Sequence, residues 1–324
     1  MADGIVITGP TASGKTALSI AVARAVGGEI ISMDSRQVYR GMNIGTAKLV
    51  SDQRAQVPHF GIDLLTPAER YSAGRFADDA RRWIADIRAR GKVPILVGGT
   101  GFFLRALTQP MFNEPQLDPR RRERLKRYLA RLSREELLRW LAALDDVSAR
   151  RLAVQGGRQR TARAIEVALL TGHALSAWHE GSEPPQPLDF LVFVLQLPRD
   201  LLYRRINERV DEMFAAGLVE EVAALVAAGY DETAPGMNAT GYLELIPYLR
   251  GERTLPEAAA AIKASTRRYA RRQHTWFRHQ LPAGSISLDA TLPIAELVDR
   301  IARTWQPLAD GKADDSAASM ESVR

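Results

Sequence analysis

The chain of 324 residues contains no cysteine. That absence excludes a disulfide framework, a thiolate-ligated zinc or iron–sulfur centre, and a thiol nucleophile. Long apolar runs are missing as well, since no stretch approaches the roughly 20 residues that a membrane-spanning helix needs. The first residues, Met1, Ala2, Asp3 and Gly4, lack the basic segment that opens a secretory signal. A cytoplasmic protein is the expectation. Neither charge sign dominates: 44 Lys and Arg against 38 Asp and Glu leave a net charge of +6. What is present is 46% hydrophobic and 25% charged residues, the profile of a globular protein with one large or two smaller domains. No internal repeat is visible.

Two textures alternate along the chain. Residues 4–8, 29–33 and 94–97 are short apolar runs bounded by Gly, Asp or Pro, which suits strands buried on both faces. Helical stretches at 15–26 and 72–90 lie between them, so the text reads βα and predicts a parallel sheet. From Asp118 to about residue 180 the pattern is helical throughout, with Leu125, Leu129 and Leu132 on one face and Asp118-Pro119 as an N-cap followed by Pro at the first helical position. Residues 182–187, rich in Pro, read as a linker. A strand at 190–195 then returns, followed by mostly helical text with a late strand at 285–288 and a helix at 293–304. The expected organisation is an α/β core over 1–113 and 188–308, an all-helical insertion over 114–187, and a disordered tail over 309–324.

The first strand runs directly into Gly9-Pro10-Thr11-Ala12-Ser13-Gly14-Lys15-Thr16, a full G-x-x-x-x-G-K-T pattern followed by an amphipathic helix. Glycines let the backbone wrap phosphate oxygens, successive N–H groups and the helix start favour an anion, and Lys15 adds a point charge. Thr16 is placed to hold Mg²⁺ through its hydroxyl. The motif recognises a phosphate chain and says nothing of what hangs from it.

A P-loop enzyme usually has a second strand ending in an acid. Here the strand at 29–33 ends in Asp34-Ser35, whereas the strand at 94–97 ends in Gly98-Gly99-Thr100-Gly101 without one. Asp34 is therefore the carboxylate expected near the phosphates, as a metal ligand, a general base, or simply the cap of the next helix. Its polar neighbours Ser35, Arg36, Gln37 and Tyr39 favour the base role, since they suit a polar acceptor at the carboxyl ends of parallel strands. Thr100 sits in a turn whose small residues let the backbone approach a ligand.

The modest net charge is unevenly placed. Residues 120–134 hold eight basic side chains against one acid, Glu123, a local charge of +7; residues 262–279 hold six and no acid. These runs carry +13 together and leave the rest of the chain at −7. Solvated helix faces would explain either run alone. Two arginine-rich runs on a phosphate-binding protein point instead to RNA or another large polyanion. A third patch, Arg158, Gln159, Arg160, Thr161, Ala162 and Arg163, adds donors able to read base edges.

Together, the phosphate loop, the block from Asp34-Ser35-Arg36-Gln37 to Gly45-Thr46-Ala47-Lys48, the Gly98-Gly99-Thr100-Gly101 turn and the late run Thr266-Arg267-Arg268-Tyr269 to Gln273-His274-Thr275-Trp276 closely resemble the bacterial tRNA dimethylallyltransferases. The resemblance extends to about residue 280. It implies a P-loop NTPase-like parallel sheet flanked by helices, and transfer of a dimethylallyl group from dimethylallyl diphosphate to N6 of adenosine 37 beside the tRNA anticodon. It implies that Gly9 to Thr16 hold the diphosphate with help from Mg²⁺, that Asp34 is the general base, that Thr100 lies at the reaction centre and that Arg205 faces the diphosphate. It further implies that Asp34, Ser35, Arg36, Gln37, Thr100, Arg122 and Arg158 to Ala162 meet the tRNA, whose anticodon stem-loop the insertion grips, and that the chain acts as a monomer. Asn43, Leu49, Arg36 and Phe60 depart from the family pattern, and Arg36 could alter how the acceptor loop is held. A P-loop small-molecule or nucleoside kinase with Asp34 activating a hydroxyl is the competing enzyme, against which stands the large basic insertion. A non-catalytic RNA-binding module or nucleotide-gated switch is the other alternative, and a pure binder would have no use for the block from Asp34 to Lys48.

Overall fold

In the computed structural model, residues 2–49, 54–109, 117–180 and 186–318 are described. The chain divides into two compact units, Met1–Gln109 with Pro187–Arg324, and Pro110–Gln186. The sequence places the insertion at 114–187.

The first unit is built on a six-stranded sheet: β1 (Gly4–Thr8), β2 (Gly28–Ser32), β3 (His59–Phe60), β4 (Val93–Gly98), β5 (Phe190–Gln196) and β6 (Ile286–Asp289). The spatial order is β3-β2-β4-β1-β5-β6, and every pair is parallel. β1 therefore lies between β4 and β5, with Ile5 beside Ile95 on one flank and Leu191 on the other. Crossover helices cover both faces of such a sheet, which is why β1 is an unbroken apolar run with Ile5, Val6 and Ile7 all at 0% exposure. Full burial of each of these side chains contributes about 1.5–3 kcal/mol. Two-residue β3 has no apolar run to announce it and was not legible as a strand.

Helix α1 (Lys15–Val26) follows β1 and packs Leu18, Ile20 and Val22 against the sheet. Helix α2 (Ala73–Ala89) starts where the Ser72 side chain accepts from the Arg75 N–H and buries Phe76, Ala80, Ile84 and Ile87 at helical spacing. The short α3 (Gly101–Thr108) follows β4. Beyond β5 the helical text resolves into α9 (Arg199–Ala215), α10 (Leu218–Ala227), α11 (Tyr242–Leu249), α12 (Leu255–Gln280) and α13 (Ile294–Ala318), and a second core forms from Val38, Tyr39 and Met42 with Val210, Leu218, Val222, Tyr242 and Ile262. The last helix continues to Ala318. Of the tail expected from 309, residues 309–318 continue this helix and 319–324 lie outside the described residues.

The second unit is helical, as its text predicts: α4 (Pro119–Leu129), α5 (Arg134–Leu144), α6 (Asp146–Gln155), α7 (Arg158–Thr171) and α8 (Leu175–Glu180). Asp118 caps α4 by accepting from the Arg121 N–H. Ser133 and Glu136 cap α5 reciprocally. Leu129, Leu137, Leu141, Ala149, Leu152, Ala164 and Ile165 form the core of this unit. The linker expected at 182–187 falls, up to residue 185, outside the described residues.

Candidate active site

A cleft of about 770 Å³ opens at the carboxyl ends of β1, β2 and β4, lined by Thr11 to Thr16, Asp34 to Gln37 and Gly98-Gly99, with side chains from later helices closing it. The floor is the phosphate loop. Thr8 donates from its hydroxyl to the Gly98 carbonyl (2.8 Å) and ties the ends of β1 and β4 together. Gly14 then caps α1 at φ 90° with no side-chain cap bond, so no side chain claims the N–H groups of the first turn and they stay available to an anion. Ala12 is held in the left-handed region at φ 62°, a strain that such loops store where a ligand binds. Ser13 keeps a buried hydroxyl with no partner.

Lys15 folds over this loop, its ammonium donating to the carbonyls of Gly9 (2.9 Å) and Pro10 (2.7 Å). Burial, reinforced by the neighbouring Arg209 guanidinium and opposed by Asp34, pulls its pKa down to about 7. A charge that burial makes costly is one that a phosphate chain beside it restores.

Above the loop stands Asp34. Its Oδ1 accepts from the Arg36 N–H (2.8 Å), a short turn that fixes the carboxylate at the end of β2. Thr100 is the second support: its hydroxyl accepts from the Ser35 N–H (3.1 Å) and hydrogen-bonds Tyr269, while its own N–H donates to the Met33 carbonyl (3.3 Å). Thr100 thus joins the site through Ser35 and Tyr269, both of which line the cleft. Burial and the charge of Asp34 push the Tyr269 hydroxyl up to about 12, so it is a neutral hydrogen-bond donor at physiological pH.

The other residues singled out from sequence are placed unevenly. Arg36 lines the cleft, with its guanidinium on the Pro235 carbonyl and Asn238 Oδ1 (both 2.9 Å). Gln37 accepts from the Ser32 hydroxyl (2.9 Å) and donates to the Thr46 carbonyl (3.2 Å), holding the following loop. Arg205 lines the cleft on α9 (Arg199–Ala215). Sequence reasoning missed Arg209, one turn further on, which reaches the Thr11 hydroxyl (3.3 Å); the four-residue spacing from Arg205 was the available signal. It missed Glu221 too. That carboxylate accepts from the N–H groups of Asn43 (2.8 Å), Ile44 (2.8 Å) and Gly45 (3.1 Å) and from the Tyr242 hydroxyl (2.6 Å). Gly45 must be glycine, because a Cβ there would fall 2.5 Å from the Tyr242 ring. Of the departures from the family pattern, Asn43 accepts from Lys48 (3.2 Å), Leu49 packs on the core beside the sheet, and Phe60 lies 6.0 Å from the Trp83 ring.

Within the helical unit, Arg122 is paired with Glu166 (2.9 Å), which is only 4% exposed and also holds Arg163 (3.0 Å). Arg158 donates to the carbonyls of Leu129, Ala130 and Leu132, closing the end of α4. Thr161 is buried, and Ala162 packs on the unit's core. Gln159 and Arg160 are exposed, as are Arg120, Arg121, Arg124, Arg127 and Arg131.

Among the described residues no group of three or more His, Asp or Glu could hold a metal by itself. The cleft offers instead the Thr16 hydroxyl and the Asp34 carboxylate. That sparse set of hard oxygens suits Mg²⁺, which keeps several waters and takes its remaining ligands from substrate phosphates.

A phosphate loop at the end of central strand β1, a carboxylate at the end of β2 on the far side of β4 and cationic side chains above define a P-loop enzyme acting on a phosphorylated substrate. Residues 37–280 match the family model described as IPP transferase, and residues 3–56 match the one described as isopentenyl transferase. The chain is 48% identical over 275 residues, 85% of its own length and 89% of the relative's, to a tRNA dimethylallyltransferase of Geobacter metallireducens. It is 43% identical to that of Geobacillus kaustophilus, covering 92% and 94% of the two chains. Among solved structures, the full-length tRNA isopentenylpyrophosphate transferase of Bacillus halodurans matches with a TM-score of 0.69 at 35% identity over 97% of this chain and 98% of that one. A eukaryotic dimethylallyltransferase acting on tRNA matches at 0.74 and 28% identity, covering 89% and 73%. The chain belongs to the tRNA dimethylallyltransferase family.

Proposed function

We propose that this chain transfers the dimethylallyl group of dimethylallyl diphosphate to N6 of adenosine 37 of tRNA and releases diphosphate. One observation carries the reading: the Asp34 carboxylate and the phosphate loop from Thr11 to Thr16 face the same cleft, so an acceptor at the base and a diphosphate on the loop can meet. The amino nitrogen of adenine is a weak nucleophile because its lone pair is delocalised into the ring. Asp34 takes its proton as the new N–C bond forms, a contribution of about 10²- to 10⁴-fold, while the allylic C–O bond breaks and the electron pair leaves on diphosphate. Lys15, Arg205 and Arg209 stabilise that growing charge, and the N–H groups of the first turn of α1 orient it. Mg²⁺, held through Thr16 and the diphosphate oxygens, would supply further charge neutralisation on the leaving group. Thr100 and Tyr269 fix the acceptor side. The target base is extruded from its stack to enter the cleft, and the exposed arginines of the helical unit support the anticodon stem-loop. The reading includes action as a monomer in the cytoplasm, where tRNA is found.

The test is incubation with unmodified tRNA, Mg²⁺ and either dimethylallyl diphosphate or ATP. Prenylated adenosine from the first donor alone is the expected result; phosphate transfer from ATP and no prenylation would overturn the reading in favour of a kinase. Asp34→Asn is expected to lower kcat by at least 100-fold, about the lower bound for losing a general base, with tRNA affinity changed only a few-fold.

A further inference from the structure

Gln273 lies on α12 (Leu255–Gln280), a helix begun by the Thr254 and Glu257 capping pair, and it is only 6% exposed. Its carboxamide spans two loops that are remote in sequence. The oxygen accepts from the Thr11 N–H of the phosphate loop (2.9 Å), and the nitrogen donates to the Gly99 carbonyl (2.9 Å). The approach is close enough to dictate the residue opposite: a Cβ on Gly99 would fall 2.1 Å from Gln273 Nε2. One turn later Trp276 takes the space a Cβ on Gly101 would need, at 2.2 Å. Ala270 and Phe277 bury the same helix against the core, so α12 is seated by apolar contacts without the carboxamide.

The carboxamide therefore has a task other than holding the helix. It needs a donor and an acceptor on one short plane, which Asp, Glu, Met or Leu cannot offer at neutral pH. From Gly99 the connection runs on without a gap: Thr100 is the next residue, its hydroxyl accepts from the Ser35 N–H, and Ser35 adjoins Asp34. We infer that Gln273 is a positioning residue that fixes the phosphate loop and the Gly99-Thr100 turn to one another, so that the diphosphate site sets the placement of the base. The Gly99 bond is buried and the Thr11 bond partly so, and the low local dielectric strengthens both. The inference rests on the transfer reading for its kinetic consequence and on geometry alone for its structural one.

Two variants of the full chain test it. Gln273→Met keeps the side chain's length and removes both hydrogen bonds. Gln273→Glu keeps the acceptor, and regains a donor only when protonated. Gln273→Met is expected to lower kcat for prenyl transfer at least tenfold while leaving KM for donor and tRNA within threefold. The rate of Gln273→Glu relative to wild type is expected to rise at least fivefold from pH 8 to pH 6, as the carboxyl becomes a mimic of the amide, with Gln273→Met, which places no titrating group beside Lys15, Arg209 and Arg272, as the control. Independently of turnover, inorganic diphosphate with Mg²⁺ is expected to slow amide hydrogen exchange over residues 98–101 in the wild type and not in Gln273→Met. A kcat within twofold of wild type in Gln273→Met, a flat pH ratio, or equal protection of the turn in both proteins would overturn the inference. Failure of the wild type to transfer the prenyl group would refute the transfer reading, and the exchange experiment would then decide the role of Gln273 by itself.

Discussion

The phosphate loop should take up a proton when it takes up its ligand. Lys15 is held at a pKa of about 7 by burial and by Arg209, so at pH 7 half of the free protein lacks the charge. A bound diphosphate restores it, since an adjacent anion favours the ammonium. Binding then draws in about 0.1 proton at pH 6, about 0.5 at pH 7 and about 0.9 at pH 8, and the linked affinity falls about twofold at pH 7 and about elevenfold at pH 8 relative to its acidic limit. The sign follows from the depressed pKa: the charged form predominates below 7, and binding weakens as pH rises through that value. Calorimetric titration with dimethylallyl diphosphate in buffers of differing ionisation enthalpy measures the uptake directly. Lys15→Arg stays charged throughout, and subtracting its uptake removes the ligand's own titration. If arginine does not fit the loop, the ligand's protonation measured alone provides the correction. Equal uptake in the two proteins, or an affinity that holds constant between pH 7 and 8, would show that burial does not strip Lys15 of its charge.

Two further outcomes are expected. Glu221→Gln replaces two anionic acceptor oxygens with one neutral one facing three backbone N–H groups and the Tyr242 hydroxyl, and should cost about 2–3 kcal/mol in a urea melt; a change below about 0.5 kcal/mol, the range of neutral surface substitutions, would show that the loop is held elsewhere. Charge reversal should separate two adjacent arginines: Arg121→Glu, on an exposed side chain, weakens tRNA binding and reduces the salt slope by about 1, whereas Arg122→Glu sets a second carboxylate against buried Glu166 and lowers the melting temperature of the helical unit. Equal thermal stability of the two variants would mean that the Arg122–Glu166 pair is not part of that unit's support.

The parts of this molecule legible from sequence are those whose cause is local. The apolar runs of β1, β2, β4 and β5 name buried strands, the G-x-x-x-x-G-K-T spacing names the loop, and Asp118-Pro119 marks the start of α4. Site residues that escaped are those whose partners are remote. Gln273 meets Thr11 across 262 residues, and Glu221 meets Asn43 across 178; no periodicity or spacing encodes such a meeting. The same limit worked in the opposite direction for charge. Arg122 and Arg158 read as two members of a basic surface, and only the fold reveals that one faces buried Glu166 and the other caps a helix end. Charge counted along a chain measures supply, while the fold decides how much of it is left for a polyanion.

The Leu188 N–H donates to the Leu107 carbonyl at 2.8 Å, so the α/β unit closes on itself on either side of the segment that leaves it at Gln109 and returns at Pro187. In evolutionary terms the helical unit is a graft on a sealed stem. Its length and its arginine content can drift without disturbing a strand register, as insertions tolerate change where their two ends meet.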